Sequence, residues 1–191
     1  MKRTNWVLLG IVVLLALGLT LSTGCGKKKT EEQAKPEPME ESTGMMTPAE
    51  LPAPVTAAIE ANAPGAEIGM VEMEKKDGIT LYDIEFKNNM GEIEVAEDGK
   101  VMEVVSIVTM DDLPEAAAAA IQKAAGDMTI NKLEKSEIRS EIDTEGETAA
   151  ITMLENPRYQ YEAELARNDS TAEVTVDADG NIVEPLKWET E

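Results

Sequence analysis

Hydrophobic and polar positions change period several times along the chain, and each change marks a different kind of element. From Trp6 to Leu21 no charge interrupts an apolar run, whereas residues 26–46 carry no apolar period at all. Beyond Thr47, Leu51, Val55, Ala58, Ile59 and Asn62 recur at helical spacing, and Pro64-Gly65 stops the pattern. Thr47-Pro48-Ala49-Glu50 has the form of a capping box with Pro at the first helical position, which predicts a helix opening there. The period then falls to two. Tyr82, Ile84 and Phe86 alternate with Asp83, Glu85 and Lys87, and Ile93 and Val95 alternate with Glu92 and Glu94. Asp77-Gly78, Asn89-Met90-Gly91, Asp98-Gly99 and Asp179-Gly180 punctuate these runs, and Asp-Gly suits a tight hairpin.

The pattern occurs twice. Leu51-Pro52 through Glu72 matches Leu113-Pro114 through Glu134 at a shift of 62 residues. Tyr82-Asp83-Ile84-Glu85-Phe86 matches Tyr161-Glu162-Ala163-Glu164-Leu165 at a shift of 79, and Ile93 to Val101 matches Val174 to Ile182 at 81. The second copy is longer because of an insertion at about 140–156. Matched blocks in one order point to duplication. Its helix runs through Ala117, Ala120, Ile121 and Ala124 to Gly126, with an Ala stretch that lets it pack close to whatever it covers. The expected fold class is α+β: two repeats, 47–110 and 111–191, each one helix followed by about four antiparallel strands, with the sheet half-covered by helices.

The Leu-Pro openings, the Pro64-Gly65 stop, Tyr82-x-Ile84-x-Phe86 and the Asp-Gly hairpins resemble the PepSY-like family, also described as β-lactamase-inhibitor-like. The resemblance is good over 48–107 and weaker over 111–188, where the helix stop lacks Pro. It implies secreted or lipid-anchored proteins, with related domains in peptidase propeptides and proteinaceous inhibitors. Binding of a protein or peptide partner is what it suggests, and no catalytic residue comes with it.

Residues 1–24 read as an export signal: Lys2 and Arg3 form a basic head, and the apolar run is too short to span a bilayer comfortably. Cys25, the single Cys, stands directly after Gly24 at the end of that run. The arrangement resembles the lipobox of bacterial lipoproteins, although Ser22 stands where that motif usually has Leu. The resemblance implies cleavage between Gly24 and Cys25, a diacylglyceryl group on the Cys25 thiol, and attachment to a membrane through that lipid. Gly26, not Asp, follows the Cys, which under the sorting rule of enteric lipoproteins favours an outer-membrane anchor facing the periplasm over an inner-membrane one. Residues 25–46 then read as a disordered tether, reaching on the order of 25 Å.

Composition narrows the chemistry. Seventeen basic against 38 acidic side chains give a net charge of −21 over 191 residues, and all of that excess falls after residue 50. A polyanion is repelled by phosphate, so nucleic acid is excluded as a partner. With no His and a lone Cys, His-based triads, the usual zinc sites and an internal disulfide are excluded. No cofactor is expected. Asp177-Ala178-Asp179-Gly180 invites comparison with a calcium loop, yet aligning Gly180 with the loop glycine puts Thr175 first and Leu186 last, where acids are needed. A hairpin turn explains the same residues, and no metal site is assigned.

Alternation places Glu72, Glu74, Asp83, Glu85, Glu92, Glu94 and Glu103 on one polar sheet face if Tyr82, Ile84 and Phe86 face the helix. These seven form the candidate partner surface, with Tyr159 at its rim and Tyr161 in the core. The expectation is a lipid-anchored, non-enzymatic envelope protein that binds a protein or peptide, in a peptidase-modulating or inhibitor-like role. The alternatives are an acidic, cation-buffering (Ca²⁺-binding) envelope protein and, behind it, a hydrolase using carboxylate pairs.

Overall fold

The computed structural model describes residues 44–144 and 148–188. They fall within one compact unit, 38–191; the other unit, 1–37, lies outside the described residues, as do Gly24 and Cys25. Nine strands follow in chain order: β1 (Gly44–Met46), β2 (Ile68–Lys76), β3 (Ile79–Phe86), β4 (Glu92–Ala96), β5 (Val101–Ile107), β6 (Thr129–Asp143), β7 (Ala150–Arg167), β8 (Ser170–Asp177) and β9 (Ile182–Trp188). Two helices interrupt them, α1 (Ala53–Asn62) between β1 and β2 and α2 (Glu115–Ala125) between β5 and β6.

The strands form one sheet in the order β1 to β9, every neighbouring pair antiparallel. This corrects the expected fold class. The chain is not an α+β pair of helix-plus-four-strand repeats but one sheet-dominated structure with two short helices. The physical reason is the junction: β5 pairs with β6 from Glu103↔Ile138 to Ile107↔Glu134, so the edge that would close the first repeat is bonded to the second. Unpaired strand edges are costly, and this pairing removes two of them.

Two boundaries also differ from expectation. Gly44–Met46, assigned to the tether, form β1 because Met46 packs against the core beneath α1 while the backbone pairs with Val71–Met73. Thr47 and Glu50 do form a capping box, with the Thr47 N–H donating to Glu50 Oε2 at 3.0 Å, but it caps only a 3-10 turn over Pro48–Glu50. Pro52 has no N–H to give Pro48, so the turn cannot run on as an α-helix, and α1 starts at Ala53. Thr109, Asp112 and Pro114 repeat the arrangement ahead of α2.

Both helices lie on one face. Val55 and Ile59 of α1 cover Val71, Tyr82, Ile84, Phe86, Ile93 and Val95, while Ala117, Ile121 and Ala125 of α2 cover Leu133, Tyr161, Ala163, Leu165, Val174 and Val176. The hairpins beneath each helix touch its first turn at a glycine. A Cβ on Gly99 would stand 3.0 Å from Pro54 O, and one on Gly180 2.5 Å from Ala116 O, both at positive φ. Of the insertion at about 140–156, residues 140–143 and 150–156 form the far parts of β6 and β7. Its Ile142 and Ile151 pack onto Leu81, Ala96 and Met102, a small apolar cluster on the face away from the helices.

Candidate functional site

That second face carries the acids. With Tyr82, Ile84 and Phe86 turned to α1, the intervening positions of β3 and their neighbours point the other way. Register then decides which acids meet: Glu72 pairs with Asp83, Asp83 with Glu94 and Glu94 with Glu103, making a continuous carboxylate row across β2, β3, β4 and β5. Glu85 and Glu92 pair in the next row, while Glu74 stands opposite Leu81. Directly opposed side chains on neighbouring strands have Cβ atoms about 4.5–5.5 Å apart, and like charges there repel. The seven sequence-selected acids therefore share one face, but only four of them form the row.

Most of the row is half-buried, since neighbouring strands and the apolar cluster at its end limit access to water. Burial, followed by the field of Glu103, Asp83 and Glu74, pushes the Glu94 carboxyl up to about 8, with the Lys76 ammonium partly offsetting it. Glu92 is raised to about 7 by burial and then Asp83, and Asp83 to about 6 by burial and then Glu72. Glu103 is also raised by burial, but a hydrogen bond with Ser136 and the Arg158 guanidinium hold it back. Among directions of shift this is the costly one, because each carboxylate loses solvation without gaining a full counter-charge.

The second half carries a counterpart that the candidate set missed. Glu134 pairs with Glu162, Glu162 with Thr175, and Thr175 with Glu184. Under the repeat shifts these positions correspond to Glu72, Asp83, Glu94 and Glu103, so the matched blocks already contained the signal. Thr175 replaces the central acid and lies 3.3 Å from Glu162 through its hydroxyl, which donates to Oε2. Burial and then Glu173 still raise Glu162 to about 7. Cations on this face are few: Lys132 pairs with Glu134 at 2.7 Å, and Arg158 pairs with Glu141.

Other candidate positions resolve differently. Tyr159 is not at the rim of the acidic face. It pairs with Glu137 on the helix side, under the Lys135 ammonium at 4.6 Å, because β7 alternates from the buried Tyr161 without a bulge. The Asp177 carboxylate accepts from the Asn181 side-chain amide at 2.9 Å and from the backbone N–H groups of Asn181 at 2.8 Å and Asp179 at 3.0 Å, and these bonds, the Asn181 amide first, hold it below the usual carboxylate range. It is occupied in closing the β8–β9 turn. Among the described residues, no group of three or more Asp, Glu, His or Cys is arranged to hold a metal ion. An open groove of about 470 Å³ lies between the β2–β3 and β4–β5 hairpin tips and the start of β7, lined by Ile79, Thr80, Glu97, Lys100 and Ile151 among others, without any member of the carboxylate row.

The sequence profile of the beta-lactamase-inhibitor-like, PepSY-like family matches residues 37–103 and 80–149, together more than half of the chain. No curated protein matches it. Among solved structures, a DUF2874 family protein from Bacteroides ovatus is similar with a TM-score of 0.48 at 9% identity, over 72% of this chain and 87% of that one. A BLIP-like protein from Bacteroides fragilis has a TM-score of 0.45 at 10% identity, over 74% and 88% respectively. A DUF2874 family protein from Bacteroides uniformis has a TM-score of 0.46 at 12% identity, over 72% and 88%.

Proposed function

Since the chain belongs to the beta-lactamase-inhibitor-like, PepSY-like family, we propose that it is a non-enzymatic envelope protein, lipid-anchored through Cys25, that binds a basic protein or peptide on the acidic face of its sheet. The observation that carries this reading is the carboxylate row Glu72–Asp83–Glu94–Glu103, which concentrates like charge on a face that, among the described residues, no helix covers. Such a field speeds encounter with a cationic surface and selects against acidic ones.

The face is favoured over the strand edges. β1 has only three residues, β9 carries Pro185, and β7 beyond its pairing with β8 carries Pro157 and an irregular stretch between Met153 and Arg158. Short edges, proline and bulges are the devices that discourage strand addition. The same field supports an inhibitor-like or peptidase-modulating role, in which the acidic face sits against a cationic rim. A hydrolytic role is disfavoured because the groove and the raised carboxylates do not coincide. The export-signal pattern and the lipobox-like ending at Cys25 support an anchor at the cell envelope, with the periplasmic side of the outer membrane as the preferred location.

The test compares full-length protein with a triple variant, Glu72→Gln, Asp83→Asn and Glu103→Gln, as baits in envelope extract at low and high salt. Recovery of a discrete basic protein by the natural chain, lost in the variant and at high salt, is the expected result. Equal recovery by both baits, or none by either, would sink the face-binding reading. Labelled palmitate entering the natural chain but not Cys25→Ala is expected for the anchor; label in the Ala variant would overturn it.

A further inference from the structure

The row of like charges has a consequence for proton binding that partner recognition alone does not require. Asp83 and Glu94 each have a carboxylate directly opposite on both sides, and Glu72 and Glu103 close the row at its ends. Among the described residues, three cations face this cluster. Lys76 extends from β2, Lys132 from β6 is already paired with Glu134, and Arg158 from β7 is already paired with Glu141. Further acids surround it: Glu74 on β2, Glu85 on β3, Glu92 on β4, Glu134 on β6 and Glu162 on β7. Among the described residues no helix packs on this side, and the β6–β7 hairpin contributes Ile142 and Ile151, which solvate nothing.

We infer that the row Glu72–Asp83–Glu94–Glu103 is a pH-responsive element in which Asp83 and Glu94, each flanked by carboxylates on both sides, release their protons in coupled steps on mild alkalinisation, so that the attraction of this face for a cationic partner is set by pH. Adjacent carboxylates in limited water cannot all ionise cheaply, and a shared proton is the least costly relief. The elevated carboxyls of Asp83 and Glu94, at about 6 and about 8, agree with that geometry. The second half supplies an internal comparison, since Thr175 at the position equivalent to Glu94 breaks the corresponding row. In mildly acidic medium Asp83 and Glu94 hold their protons and the cationic partner is released; as the medium turns alkaline they ionise and the row gains charge. The biological meaning rests on the partner reading above, but the titration does not.

The experiment is a pH titration of full-length protein, ¹³C-labelled at the Asp and Glu carboxyls, followed by NMR. The expected result is a Glu94 midpoint near 8, falling by about one unit or more in Glu103→Gln, because that change removes the nearest like charge. Glu72→Gln is expected to lower the Asp83 midpoint, because Glu72 exerts the largest like-charge effect on it. Glu60→Gln, on the exposed side of α1, leaves both midpoints where they were. A Glu94 carboxyl titrating near 4.5 in the natural chain, or one unmoved by Glu103→Gln, would overturn the inference. That failure is separate from the bait experiment, since no partner is present.

Discussion

Adding one methyl group at each of three hairpin glycines separates backbone strain from hairpin-to-helix packing. Gly78, Gly99 and Gly180 sit at φ +85°, +87° and +78°, so an alanine at any of them carries a similar left-handed penalty, about 1–2 kcal/mol. Their surroundings differ. A Cβ at Gly78 meets nothing within 4 Å, one at Gly99 comes within 3.0 Å of Pro54, and one at Gly180 comes within 2.5 Å of the Ala116 carbonyl. A separation of 2.5 Å cannot be met without moving α2 or the β8–β9 turn, and overpacking of this kind costs about 1–3 kcal/mol more. Gly78→Ala is therefore expected to lose about 1–2 kcal/mol, Gly99→Ala slightly more, and Gly180→Ala about 2–5 kcal/mol. Urea unfolding followed by far-ultraviolet circular dichroism reads the differences as shifts in midpoint at constant slope. Equal losses at Gly78 and Gly180 would refute the argument, because they would mean that the turn does not bear on the helix.

Stability is also expected to fall as pH rises from about 4.5 to about 8 and then to level off. The folded Glu94 keeps its proton through that window, whereas the unfolded chain has released it. Glu94→Gln removes this contribution, so its stability relative to the natural chain is expected to grow by on the order of 2–4 kcal/mol between pH 4 and pH 9 in urea titrations. A pH-independent difference would contradict the assignment. Ile151→Ala strips contacts from the cluster of Leu81, Ala96 and Met102 and is expected to cost about 1–2 kcal/mol in the same assay, no change meaning that the long hairpin is not held there. Calorimetric titration with Ca²⁺ is expected to give no saturable micromolar isotherm; such an isotherm would overturn the reading of Asp177 as a turn residue.

Local features were legible where they depend on neighbours in sequence. The helical stripe of Val55 and Ile59 and the alternation of Tyr82, Ile84 and Phe86 both point into one core. Asp77-Gly78 sets Lys76 opposite Ile79, and counting outward from that turn already brings Glu72 to Asp83. The next step, Asp83 to Glu94, crosses the Lys87–Asn89 turn, where two asparagines at positive φ replace a simple hairpin. Reaching Glu103 requires the extra residue Met102, a bulge with no signal in the pattern. The joining of the halves was not legible, because β5 and β6 meet across α2 and no turn specifies their register. The capping box misled for a local reason: Thr47 and Glu50 satisfy each other just as they would at a helix, and only the missing N–H of Pro52 stops the helix from following.

The strand order has a consequence for how this protein is made. Each strand in the sheet is bonded to the next one in the chain, from β1 through β9, with no crossover. A segment emerging from an export channel with its amino end first would thus find its partner already outside. It could add to a growing edge without waiting for distant sequence, and contacts of this kind form quickly. Such a chain can fold in the order of its own delivery, each new strand covering the edge left exposed by the last.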